Sequence, residues 1–457
     1  MPQNSSSATS DLTLIEKALE ERPQDGAYRI ARDIFTDREL FDLEMEHIFE
    51  RTWIYACHES QVAKPNDFYS VQIGRQPMLV TRDSNGKLHA LANVCQHRGA
   101  TLVRVRQGNQ PTFTCSFHAW CYKSDGRLLK VKESDCYGPD FDLGKYNLKE
   151  ARIASYKGFV FINLDTSSTE TLENFLGDAK IFFDLVVAQS PTGELEVVPG
   201  ASIYTYEANW KHQNENGVDG YHVTTVHYNY VATVMQRMQA AASQAKKMLD
   251  VTRIGSGVSG WFAFKNGHSM LFNELPNAES RPGYKEIYPR LEKEYGPAFA
   301  KWAMLRTRNL NIYPSLLFMD QLSTQLRVIR PIAVDKTEIH SFCLGVKNES
   351  AEDRENRLRS FEDFFNVSGL GTPDDLVEFK EGQRGMKGRL ERWSDISRGN
   401  RNWIPGPSAF ADELGIKPVM SANDWSEEGL FVNQHRTWRQ YMRKALQGGS
   451  GISAAAE

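Results

Sequence analysis

Apolar positions near the start of the chain recur at helical spacing. "DLTLIEKALEE" (11–21) and "DRELFDLEMEHIFERTWIY" (37–55) each carry such a stripe, with Asp11 and Asp37 placed as N-caps. A helical arm over 1–50, packing with the larger part of the chain, is expected. From about residue 60 the pattern changes to short strands: "FYSVQI", "PMLVTRD", "LHALANV", "GRLLKV" and "GFVFINL", punctuated by "SNGK" and "SDG" turns. This reads as an all-β domain over 51–165. Beyond the polar connection "TSSTET", strand patterns ("SIYTYEANW", "GWFAF", "SMLFNEL", "LRVIRPIAV", "EIHSFCLGV") alternate with helical ones ("SAEDRENRLRSFEDFF" and the stretch after "GTPDD"). The expectation is an α+β domain over 166–450, an antiparallel sheet surrounded by helices.

A length of 457 residues suits two or three domains of ordinary size. With 40% hydrophobic and 25% charged residues and a net charge of −4, there is no electrostatic case for nucleic acid or an anionic membrane as partner. The start, "MPQNSSSATS", lacks the basic and apolar parts of a signal peptide, and no apolar run approaches the roughly 20 residues of a membrane span. A cytoplasmic protein acting on a small molecule is expected. Six cysteines in such a chain argue for metal or redox roles over a disulfide framework.

Two of them stand out. In "CQHRGATLVRVRQGNQPTFTCSFHAW" Cys95 and His97 are separated by one residue and Cys115 and His118 by two, with 17 residues between the pairs. Structural zinc sites usually pair cysteine with cysteine at wider spacing. Two mixed pairs instead suit a [2Fe–2S] cluster with thiolates on one iron and imidazoles on the other, which raises its reduction potential. Cys57, Cys121, Cys136 and Cys343 read as packed or free thiols.

"CQHRGATL" followed by "TCSFHAW" resembles the cluster signature of Rieske-type aromatic-ring-hydroxylating oxygenases. The resemblance implies Cys95 and Cys115 on one iron and His97 and His118 on the other. Ala119 stands where many members carry glycine, and its methyl group is expected to crowd the loop only slightly.

"NENGVDGYHVTTVHYNY" contains Asp219, His222 and His227. Helix positions five apart diverge by about 140°, so both histidines reach one metal only if the helix is distorted or ends between them. The stretch resembles the mononuclear iron motif of the same family, which implies His222 and His227 as ligands of a ferrous ion with positions left open for dioxygen. "FFNVSGLGTPDDLVEF" resembles the family's carboxylate segment and implies Asp375 as third ligand, with Asp374 as second choice. By themselves, Thr372, Pro373 and the two acids also read as an ordinary helix start. Asp320 in "LLFMDQ" is a further acid, in a pattern that fits a sheet end. The resemblance gives Asp219 a catalytic role, bridging to the cluster histidine His118 of a neighbouring subunit. Asn216 is a candidate polar contact for substrate or a local turn former, Phe365 and Met319 a pocket wall or core. "MQRMQAAASQAKKMLD" reads as an amphipathic helix or a cover.

The resemblance spans about residues 28–438 and is nearest the benzoate-type branch of large (α) subunits, through "WIYACHES", "GRQPM", "FHAWCYKSDGRL", "AQSPTGELEV" and "NVSGLGTPDDL". It implies one Rieske cluster and one mononuclear Fe(II) per chain, and a small β subunit in an α3β3 assembly. It also implies a separate reductase delivering electrons from NADH through FAD. The implied reaction adds both atoms of O2 to adjacent ring carbons of a small aromatic carboxylate. For 2-aminobenzoate this gives catechol with loss of CO2 and ammonia; benzoate, toluate and 2-halobenzoate are the alternative substrates.

Overall fold

The structure is a computed structural model, and it describes residues 13–241, 257–275, 278–321 and 323–448. These form two compact units, one of 45–174 and one of 13–44 together with 175–448.

The first unit is all-β. Its seven-stranded antiparallel sheet runs in the order Ile54–His58, Phe159–Asn163, Glu150–Tyr156, Leu88–Ala92, Gln76–Arg82, Asp67–Ile73, Gln107–Asn109. A second, three-stranded sheet joins Thr112–Thr114, Cys121–Lys123 and Leu128–Lys130. Phe68, Leu79, Leu91, Phe113, Trp120 and Tyr122 form the core that also buries Cys95 and Cys115.

The second unit is built on a ten-stranded antiparallel sheet. Its centre is the run Ser269–Glu274, Arg306–Ile312, Leu316–Asp320, Thr324–Ala333, Lys336–Val346. The helices that matter for the site are Trp210–Asn216, Val223–Val226, Tyr228–Ala241 and Thr372–Met386, with the π-helical turn Phe361–Phe365. The segment Tyr228–Ala241 opens the stretch read as a helix or cover; residues 242–250 of that stretch lie outside the described residues. No helix among the described residues is long and apolar enough to cross a membrane.

The helical expectation for 11–21 needs correction. One turn at 13–16 gives way to the strand Leu19–Arg22, which pairs with Ala27–Ala31 and, through it, with Trp393–Asp395. Gly26, at φ 64°, turns the chain after Pro23–Asp25, and pairing with residues distant in sequence overrides local helix propensity. Asp11 lies outside the described residues. Asp37 does cap a helix: its Oδ1 accepts the Leu40 N–H at 3.0 Å at the start of Arg38–Glu44. That helix continues as a π-turn, Met45–Phe49, and the end of the predicted stripe is instead the buried strand Ile54–His58.

Candidate active site

Two loops of the all-β unit carry the Cys/His pairs, and they are built alike. The Cys95 carbonyl accepts the Gly99 N–H at 3.0 Å, and the Cys115 carbonyl accepts the Ala119 N–H at 2.9 Å. The residue that closes each turn is left-handed, Gly99 at φ 71° and Ala119 at φ 61°. A glycine takes that conformation freely and an alanine does not. The methyl of Ala119 therefore matters through backbone strain more than through crowding.

Both cysteines are 2% exposed. The rings of His97 and His118 meet edge to face with centroids 4.5 Å apart, and Trp120 stacks on His97 at 5.0 Å. Nδ1 of each histidine is buried without a hydrogen-bond partner. Desolvation, then the neighbouring His97 and Arg98, holds His118 below the usual imidazole range. Two buried thiols and two imidazoles with uncommitted Nδ1 atoms, carried on two like-built loops, fit the donor set of a Rieske cluster. Cys121 lies in the strand leaving the loop; it, Cys57 and Cys343 are buried, and Cys136 is exposed.

The second motif folds as the spacing required. Val223–Val226 is a single turn that ends at His227, whose φ −94°, ψ 23° leave the helical region. The break swings the second histidine back beside the first. His222 Nε2 lies 3.6 Å and His227 Nε2 3.3 Å from the same Asp375 oxygen, and the three ligand atoms all lie within 4.8 Å of one another. Right-angled ligands at metal bonds of about 2.1 Å sit about 3 Å apart, so the set fits one ion bound on one face. Asp375 occupies the first turn of Thr372–Met386 and is 7% exposed, and it is this carboxylate, not that of Asp374, that reaches both imidazoles.

The surroundings orient these groups. His222 Nδ1 lies 3.0 Å from Asp219 Oδ2, which fixes the proton on Nδ1 and turns the Nε2 lone pair toward the shared centre. Burial is the largest influence on His222 and opposes its charge, but the Asp219 hydrogen bond together with the Asp219 and Asp375 charges outweighs it and raises the pKa; burial dominates at His227 and lowers it. Asp219 also accepts the Tyr221 N–H at 2.7 Å. Asn216, the last residue of Trp210–Asn216, directs Nδ2 to His222 Nε2 and to Asp375 Oδ1, both at 3.2 Å. Asp320 is elsewhere: buried, it pairs with Arg281 at 2.9 Å and with Arg308, and ties strands together.

A cavity of about 210 Å3 opens beside the three ligand atoms. That is below the ~300–1,000 Å3 of pockets for drug-sized ligands, and suits a single ring. Val223, Leu271, Met319, Phe364, Phe365 and Trp425 give it apolar walls, so Phe365 and Met319 both line it. Its polar lining includes Asn216 and three residues not singled out from the sequence, Thr307, Asn309 and Arg327. The available signal was a strand rich in polar residues: all seven residues of Arg306–Ile312, "RTRNLNI", are buried although only Leu310 and Ile312 are apolar.

Residues 52–156 match the Rieske [2Fe-2S] domain family, and residues 193–442 the catalytic domain of the ring hydroxylating alpha subunit. The chain is 60% identical over 438 residues to the anthranilate 1,2-dioxygenase large subunit of Acinetobacter baylyi, covering 94% of this chain and 93% of that one. It is 48% identical to the toluate 1,2-dioxygenase subunit alpha of Pseudomonas putida, over 95% of this chain and 96% of the other. Identity to the 2-halobenzoate 1,2-dioxygenase large subunit of Burkholderia cepacia is 46%, over 95% and 93%. Among solved structures, naphthalene 1,2-dioxygenase from Rhodococcus sp. bound to indole superposes with a TM-score of 0.79 at 26% identity, covering 95% of this chain and 97% of that one. With both family domains in order along the chain and relatives matched over nearly their full length, this protein belongs to the Rieske-type ring-hydroxylating dioxygenases, as a large (alpha) subunit.

Proposed function

We propose that the chain is the oxygenase large subunit that converts 2-aminobenzoate (anthranilate) to catechol. Dioxygen, two electrons and three protons enter; carbon dioxide and ammonia leave with the catechol. When bound, a Rieske cluster supplies single electrons and a mononuclear ferrous ion supplies the site of dioxygen reduction. Cys95, His97, Cys115 and His118 would hold the cluster, and His222, His227 and Asp375 the ion.

The chain's own residues do the rest. Asp219 keeps the His222 proton on Nδ1, and in the assembly it would accept a second imidazole proton, from His118 of a neighbouring copy, joining the two metal sites. Asn216 holds the His222 and Asp375 ligand atoms in register. Phe364, Phe365 and Met319 keep water from the ring and seat it beside the metal. NADH as electron source, a separate FAD-containing reductase and a small β subunit in an α3β3 complex complete this reading.

What carries it is the His222, His227, Asp375 set at the edge of a single-ring cavity, in a chain 60% identical to an anthranilate 1,2-dioxygenase large subunit. The toluate and 2-halobenzoate relatives, at 48% and 46%, support the alternative substrates less. The test is oxygen uptake and product analysis on the iron-replete chain with its small subunit and reductase. Catechol and ammonia should form from anthranilate. Faster turnover of benzoate would overturn the substrate, and no ring oxidation at all would overturn the reaction.

A further inference from the structure

We propose that Arg327 receives the substrate carboxylate and Asn309 the adjacent amino group, so that these two side chains together select 2-aminobenzoate. The inference rests on the reading above and names the groups that carry its specificity.

Both residues stand on the face of the large sheet that floors the cavity. Asn309 lies opposite Met319, and Arg327 opposite Leu317, two residues along the same strand. Directly paired residues and residues two apart share one face of a sheet. The two positions are thus two strands and one pleat repeat apart, about 12 Å between Cα atoms. A long and a short side chain across that diagonal leave room for a ring with neighbouring polar substituents.

Arg327 is 1% exposed. Nη1 donates to Gln213 Oε1 at 3.2 Å, and Nη2 to Thr372 Oγ1 at 3.1 Å and the Phe365 carbonyl at 3.3 Å. Nε has no partner, and no carboxylate among the described residues forms an ion pair with this guanidinium. The other buried arginines each have one: Arg306 has Glu413, Arg308 has Asp320 and Arg357 has Glu349. A buried cation without a counter-ion is costly, and here the free N–H belongs to a residue lining the cavity. A carboxylate in that cavity supplies what the protein withholds.

Asn309 is 7% exposed and presents the opposite need. Nδ2 donates to the Gly217 carbonyl at 2.9 Å, which settles the amide orientation, since the flipped form would set oxygen against oxygen. Oδ1 is then a buried acceptor without a donor. An amino group satisfies it. A hydrogen, halogen or methyl group at the same ring position does not.

The test compares kcat/KM for 2-aminobenzoate, benzoate and benzamide in the assembled holoenzyme, with iron content measured alongside. In Arg327→Gln the benzoate to benzamide ratio should fall about 10–100-fold, the worth of a hydrogen bond to a charged group. In Asn309→Leu the 2-aminobenzoate to benzoate ratio should fall about 3–10-fold. Unmoved ratios in iron-replete variants would overturn the assignment. Because Arg327 also braces Thr372, a loss of iron is the structural outcome to guard against. Equilibrium binding to the unaltered holoenzyme then decides, and equal affinities for benzoate and benzamide would overturn the Arg327 role. If the unaltered enzyme oxidises no aromatic carboxylate, the proposed reaction fails; if it does and the ratios stay fixed, only this inference fails.

Discussion

Glu44 is 0% exposed, yet it holds the helix that ends in Asn216. Trp210 Nε1 donates to Oε2 at 2.8 Å, Trp438 Nε1 to Oε1 at 2.7 Å, and the Lys211 ammonium pairs with Oε1. Lys211 is 3% exposed and otherwise meets neutral acceptors, the Ile34 carbonyl at 2.8 Å and Asn209 Oδ1 at 3.4 Å. Glu44→Gln keeps the shape, strands the lysine charge, and turns an amide N–H toward one of the indole donors. Breaking a buried pair in this way costs about 3–5 kcal/mol. A ceiling follows from letting Lys211 lose its proton instead: from 10.5 to pH 7 is about 5 kcal/mol. Against a total stability of about 5–15 kcal/mol, the loss is large. Urea titration with matched slopes should give a midpoint lowered accordingly, with mononuclear iron released at lower urea than in the parent. Glu44→Gln combined with Lys211→Met should be less damaging than Glu44→Gln alone, because the stranded charge is gone. A single substitution costing under about 1 kcal/mol, or a double one as costly as the sum, would refute the reasoning.

Further outcomes can be stated briefly. Asp375→Ala should drop iron from three to two atoms per chain with the cluster absorbance intact, while Asp374→Ala should keep all three, because only Asp375 reaches both imidazoles. Burial holds His58, His212 and His268 down to about 4 from an ordinary 6.5. The unfolded chain takes up these protons below pH 6.5 and the folded chain refuses them until about pH 4, so stability is full above that window and is lost as pH falls through it. At pH 5 each histidine accounts for about 2 kcal/mol, and His268→Gln should remove one such share from the difference in urea midpoint between pH 7 and pH 5. Ala119→Gly should relieve about 1–2 kcal/mol of left-handed strain against about 0.4–1 kcal/mol of added unfolded-chain entropy. The cluster absorbance should then survive to a slightly higher temperature, and an unchanged or lowered midpoint would contradict the strain at φ 61°.

The sequence by itself determined the division into an all-β part and an α+β part, because strand alternation and turn residues are local signals. Strands such as Asp67–Ile73 and Gln76–Arg82 fell where their pattern put them. It also carried the Cys/His pairs, whose side chains sit on short loops where spacing along the chain is close to spacing in space. Residues 19–22 were not legible, since their partner strand Ala27–Ala31, itself paired with Trp393–Asp395 far along the chain, decides between helix and strand there. Nor was it legible which of the adjacent acids Asp374 and Asp375 comes close to both imidazoles, since that depends on the direction of their helix toward His222 and His227. Arg327 and Asn309 are the extreme case. In the sequence they are polar residues within strands, and only the sheet register and the absence of an acidic partner for Arg327 among the described residues turn them toward a ligand. Periodicity records which face of an element a residue occupies; what that face meets is set by contacts between elements, and charge burial acquires meaning only there.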